Sequence, residues 1–364
     1  MAAATGRFGL QYRVAPSAVF ALPLESPMTK MIAIDHAASA NMSVGKHRTA
    51  ELRRVSVTLR RFAWFVLVYN VIVILWGGVV RATGSGAGCG DQWPLCDGSA
   101  IPQSPQFHTL VEFTHRLMSG GALILILALL VWTWRTTGKG HLARWTSAIG
   151  LLLVLNEAFL GALLVTVAAH SASVATGVIL FSCHLTNTLL LVATLTLTAE
   201  FLSNPRFGAS TRLRRGGLVF PTLGILATLL VGVTGSLVAL GDTMYPSTSL
   251  LDAIRQDFSS TAPLLLRLRW FHPANAFVAG AFILWLLVRA LRHEAPAKMR
   301  TLGMGVLLTL LLQYLLGAFD VLGHQPTWLQ ILHLLGANVF WVFLVLLTAN
   351  YCLVEKMSAP KPVR

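Results

Sequence analysis

Four of the eleven histidines in this chain of 364 residues, His115, His184, His272 and His333, lie inside stretches that are otherwise almost wholly apolar. An ionisable side chain in such a setting is costly and usually functional. One histidine alone would be adequately explained as a neutral ring hydrogen-bonded to a neighbouring helix. Four, one in every second apolar stretch, call for a shared ligand. Two imidazoles from facing helices can supply both axial ligands to a haem iron, and helix bundles hold such groups between their helices. Zinc fits less well, because no Cys or carboxylate sits at ligand spacing beside three of the four. These residues favour two haem-sized sites, with the four histidines as ligands to haem iron. Glu112 precedes His115 by three residues and so shares its helical face. A carboxylate beside a haem in a low-dielectric pocket can accept or donate protons at the reacting edge. The same Glu112 is also four residues from Arg116, which offers the plainer role of an ion pair. Arg269 holds the corresponding place before His272, so the second histidine pair has no matching carboxylate. That asymmetry predicts one reactive site and one that carries electrons or supports structure.

The elements that must position these residues are membrane spans. Hydrophobic residues make up 55% of the chain and charged residues 12%, about half the charge of a soluble domain. Mean hydropathy is +0.68. Apolar stretches of about 20 residues fall at 62–80, 109–134, 145–168, 175–200, 217–240, 269–291, 301–322 and 328–353. The net charge of +14 would suggest nucleic acid if it were spread over a surface. Instead, Lys and Arg gather before the first span and in the joints after the second, fourth and sixth. The positive-inside rule then places both termini in the cytoplasm and excludes nucleic acid as the partner of that charge. The polar first segment lacks an apolar core long enough for a signal peptide; it loosely resembles a transit peptide, and no function is assigned to it.

The spans form two sets of four. Leu-Gly-Ala begins at Leu160 and again at Leu316; His115 and His272 stand 157 residues apart, His184 and His333 149 apart. Four spans per unit give both halves the same direction through the bilayer, a parallel repeat. The expected fold is an all-α membrane protein: eight transmembrane helices forming two pseudo-symmetric four-helix bundles, 62–200 and 217–353. A cytoplasmic linker (201–216) joins them, with an extension (1–61) before and a tail (354–364) after. Every even-numbered span enters from the outer side, which puts its histidine roughly 5–14 Å deep.

The first outer loop reads GSGAGCGDQWPLC from Gly84 to Cys96. Its glycines do not follow the dinucleotide pattern and do not link a strand to a helix. Cys89 and Cys96 face an oxidising side, as either a stabilising bridge or an exchangeable redox pair. Arg81 is a candidate to hold a haem propionate or to snorkel to the interface. Glu157 and Asp320, carboxylates within the third and seventh spans, suit helix–helix hydrogen bonds better than a proton path.

The run GGVVRATGSGAGCGDQWPLC (Gly77 to Cys96), then EFTHRLMSG (Glu112 to Gly120) and the histidines of spans 4, 6 and 8, resembles the haem A synthase family over residues 62–353. The resemblance implies oxidation of the C8 methyl of haem O to a formyl group by successive hydroxylations, giving haem A for terminal oxidases. It implies His115 and His184 as ligands of the substrate haem, with Glu112 as the catalytic carboxylate. His272 and His333 would bind a haem b cofactor, and Cys89 and Cys96 would form the loop disulfide. A haem O synthase is a candidate donor of the substrate, and the setting is a bacterial inner membrane in preference to a mitochondrial one. The electron donor is left unnamed, and a homo-oligomer stays open. Some relatives have a second cysteine pair in the later outer loop, whereas residues 241–268 here contain none. Judged from Gln313 in the other half, a Gln is the expectation where Glu157 stands. Two other readings of the same residues are a di-haem cytochrome in quinol-linked electron transfer and a non-enzymatic haem transporter.

Overall fold

The computed structural model describes residues 55–103, 105–168, 173–204, 207, 211–213, 218–247, 249–291 and 295–355. Expectations about the N-terminal extension before residue 55 and the tail beyond 355 lie outside them.

The eight apolar stretches are helices long and apolar enough to cross a membrane. They are α1 (Val57–Ala82), α2 (Phe107–Thr136), α3 (Leu142–Leu163), α4 (Val174–Ser203), α5 (Val219–Met244), α8 (Phe271–Leu291), α9 (Ala297–Leu322) and α10 (Thr327–Cys352). Residues 241–268, expected as a plain loop, contain two short helices, α6 (Leu250–Asp257) and α7 (Leu264–Leu268). The chain is an all-α, multi-pass membrane protein. Its only strands among the described residues are two three-residue pieces, β1 (Thr211–Leu213) and β2 (Leu353–Glu355), which pair antiparallel.

The helix ends follow from local chemistry. Ser56 starts α1 by accepting from the Leu59 amide at 3.1 Å, and His141 starts α3 by accepting from Ala143 N at 3.2 Å, each satisfying an amide with no partner inside the helix. Pro296 and Pro326 precede α9 and α10. Turns at Arg269 and Trp270 separate α7 from α8, and Pro273 sits in the first turn of α8, where its missing N–H costs nothing. The sixth span therefore begins with a break just before its histidine.

The helix pairings repeat between the halves. α1 packs on α2 and α3 on α4; likewise α5 packs on α8 and α9 on α10. The halves meet where α4 lies against α10, with α1 against α10 and α5 against α4 as related contacts. Leu59, Val66, Leu129, Val192, Val306 and Trp341 are buried in this shared core. The Trp341 indole N–H donates to Leu189 O at 2.8 Å and so ties α10 to α4.

Candidate haem-binding site

His115, His184, His272 and His333 lie within the first three turns of α2, α4, α8 and α10 and are half-buried. Each ring rests against a glycine of the preceding span. A Cβ on Gly77 would sit 3.1 Å from His115 Cε1; on Gly161, 3.9 Å from His184 Cε1; on Gly235, 2.8 Å from His272 Cε1; and on Gly317, 3.3 Å from His333 Cε1. Four rings thus occupy four equivalent notches that side chains at those positions would narrow or fill.

The rings of the second pair lie close together. The ring centres of His272 and His333 are 6.4 Å apart and their planes perpendicular. With metal–nitrogen bonds of about 2 Å and ring nitrogens about 1 Å from the ring centre, imidazoles on opposite sides of one metal have centres about 6 Å apart. His272 Nδ1 is 3.1 Å from Val231 O. A carbonyl only accepts, so Nδ1 carries the hydrogen and Nε2 is left for a ligand. The first half holds the other pair, His115 on α2 and His184 on α4. The Nδ1 atoms of both are buried without a hydrogen-bond partner. No group of three or more His, Cys, Asp or Glu side chains among the described residues forms a metal cage; the histidines come in twos. This donor set fits haem iron.

Glu112 is 3% exposed and both its oxygens are engaged. Oε2 accepts from the Cys89 amide at 2.9 Å, and Oε1 accepts from Arg116 Nη2 at 2.6 Å and Nε at 3.1 Å. Arg116 also donates to Gln92 O and Leu95 O. The ion pair expected from the i+4 spacing is present, and it clasps the outer loop as well. Within that loop Cys89 and Cys96 form a disulfide with S–S 2.02 Å, and both cysteines are buried. Burial shields the sulfurs from attacking thiols. Cys183 is a free thiol.

Arg269, the counterpart of Glu112, does the same for the second loop with the opposite charge. It pairs with Asp242 at 2.8 Å and Asp257 at 3.3 Å and donates to Tyr245 O at 2.8 Å. Burial pushes the Asp257 carboxyl up from the usual range, with Arg269 pulling it back. Arg81 donates to Ala239 O, Thr243 Oγ1 and Gln330 Oε1, so it bonds across to α5 and α10 and does not simply snorkel. Asp320 Oδ1 is buried with no hydrogen-bond partner. Glu157 does make such bonds, accepting from Asn187 Nδ2 and Thr188 Oγ1 of α4.

The family model described as cytochrome oxidase assembly protein, COX15-CtaA, matches residues 60–345. This chain belongs to that family, the family of haem A synthase. A protoheme IX farnesyltransferase of Thermus thermophilus is 40% identical over 296 residues, 80% of this chain and 48% of that protein. The chain thus spans about half the length of that relative. The haem A synthase of Geobacillus kaustophilus is 26% identical over 76% of this chain and 86% of its own. That of Alkalihalophilus pseudofirmus is 43% identical over 25% of this chain and 31% of its own. The family relation covers both histidine pairs and the disulfide loop.

Asn156, Asn187 and Thr188 escaped the sequence reading. Their signal was available: amides beside Glu157 and three residues after His184, inside apolar spans.

Proposed function

We propose that this protein is a haem A synthase, oxidising the C8 methyl of haem O to a formyl group. Two hydroxylations of that methyl, each a two-electron oxidation that needs dioxygen and an external electron donor, with the second giving a gem-diol that loses water, account for the product. The observation that carries the reading is the seating of one histidine per second helix against a glycine of the helix before it, in both halves. Family membership supports it, as do the haem A synthases of Geobacillus and Alkalihalophilus. His115 and His184 hold the substrate haem; His272 and His333 hold haem b. When bound, haem b supplies reversible one-electron transfer. The protein's own part is to orient the reacting edge and manage protons. Glu112 is the carboxylate three residues from the substrate ligand, held in one place by Cys89 N and Arg116. A farnesylated porphyrin dissolves in the bilayer and enters a helical bundle sideways.

The Thermus relative is named for transferring a farnesyl group to protohaem IX. We infer that such a transferase supplies the substrate here. The bacterial cytoplasmic membrane, with both termini inside, is the setting that the charge pattern and the bacterial relatives support.

The test is pigment extraction from cells that make haem O and express this chain with oxygen present. A formyl porphyrin is expected. Haem O recovered unchanged, with haem b bound, would favour the cytochrome; haem O unchanged and shifted between membranes would favour the transporter.

A further inference from the structure

The two histidine pairs differ in what stands behind the ring. His272 Nδ1 faces a neutral carbonyl, Val231 O, at 3.1 Å. His184 Nδ1 faces Glu157, whose Oε1 lies 3.4 Å away, at an angle that does not yet make a hydrogen bond. Asn187 Nδ2 and Thr188 Oγ1 donate to the two oxygens of Glu157. Asn187 is fixed in turn by Leu153 O at 2.9 Å and by Asn156, which donates to its Oδ1 at 2.8 Å. The Asn187 amide can only donate to Glu157, which suits a carboxylate, while the single Thr188 hydroxyl hydrogen is shared between Glu157 and His184 O at 2.9 Å.

The second half dismantles this arrangement at three places together. Gln313 stands where Glu157 does, and Gly336 and Ala337 stand where Asn187 and Thr188 do. Gln313, with its amide turned to satisfy both partners, donates to His333 O at 3.2 Å and accepts from Ala337 N at 3.1 Å. A Cβ on Gly336 would collide with that amide. In that half the amide serves the helix backbone, whereas in the first half a charge and its two donors serve the ring.

We propose that Glu157 is a positioning residue that holds His184 through its Nδ1 hydrogen and lowers the reduction potential of the iron His184 binds. A carboxylate behind a metal-bound imidazole makes the ligand more basic, and added negative charge favours the ferric state. Arg116, the residue after His115, is paired with Glu112 at 2.6 Å. This role of Glu157 rests on the histidine pairs holding haem as proposed above.

The test uses the full chain purified anaerobically with haem b and haem O bound, so that haem O is retained. Both midpoint potentials are titrated, the first-half haem being the one lost in His115→Ala. Glu157→Gln is expected to raise that haem's potential by about 59 mV, tenfold in the one-electron equilibrium, and to leave the other unmoved. Glu157→Asp is expected to keep most of the wild-type value. The double change Gln313→Glu and Ala337→Thr, which leaves Gly336 in place, is expected to lower the second haem's potential, which keeps the idea testable should Glu157→Gln fail to fold. With both haems bound, an unchanged potential in Glu157→Gln, or an equal shift in both haems, overturns the proposal. A first half that binds no haem overturns instead the site assignment beneath it.

Discussion

Glu112 has two roles that single substitutions can separate. As a staple it needs only oxygens that accept from Cys89 N and Arg116; as a proton-handling group it needs its charge. Glu112→Gln keeps one acceptor oxygen and the side-chain shape while removing the charge. Conversion of haem O is expected to fall about 100-fold or more, with second-half haem b still visible in the spectrum. Retained turnover would leave Glu112 as a loop anchor alone. The sequence showed the proximity of Glu112 to His115 and Arg116, because helical spacing dictates it. It did not show the amide of Cys89, whose approach depends on how a glycine-rich loop turns back over the helix end. Glu157 was legible as a helix–helix group for the same reason that its target was not. Polar residues in apolar spans must find partners, but which residues of α4 face α3 depends on packing.

At the scale of elements, the glycine notches explain why each histidine pair needs four spans and not two. α1 and α5 carry Gly77 and Gly235, while α3 and α9 carry Gly161 and Gly317, so a ring is always framed by a helix and its predecessor. The distances grade the expected damage from adding a methyl group. Gly235→Ala places a Cβ 2.8 Å from His272 Cε1 and is expected to deplete second-half haem most. Gly77→Ala and Gly317→Ala, at 3.1 and 3.3 Å, are expected to be intermediate, and Gly161→Ala, at 3.9 Å, near neutral. Haem content per protein, measured from absorbance of the purified variants, checks the ranking; equal loss in all four would remove the notches from the account. The eight spans were readable because each is a long apolar run with basic joints at alternate ends. The break before His272 and the two short helices between α5 and α8 were not. Apolar character continues through Leu264–Leu268, and only Pro273 hinted that the helix restarts there.

The two halves of the molecule are fastened to each other at both ends. Arg81 reaches from α1 to α5 and α10 at the disulfide end. At the other end buried Glu200 accepts from Lys298 Nζ at 2.5 Å and from Asn350 Nδ2 at 3.1 Å. Paired offsets in the sequence exposed the repeat, yet these fasteners were hidden, because nothing in a residue's own half says that its partner lies in the other. Under the proposed function, a rigid junction would keep a haem b in the second half at a fixed distance from a substrate haem that enters and leaves the first. The low-spin ferric resonance spectrum of the purified chain tests this most directly. Two bis-imidazole signals are predicted, one lost on replacing either His272 or His333 and the other on replacing either His115 or His184. A single signal, or one that survives loss of both members of a pair, would contradict the account.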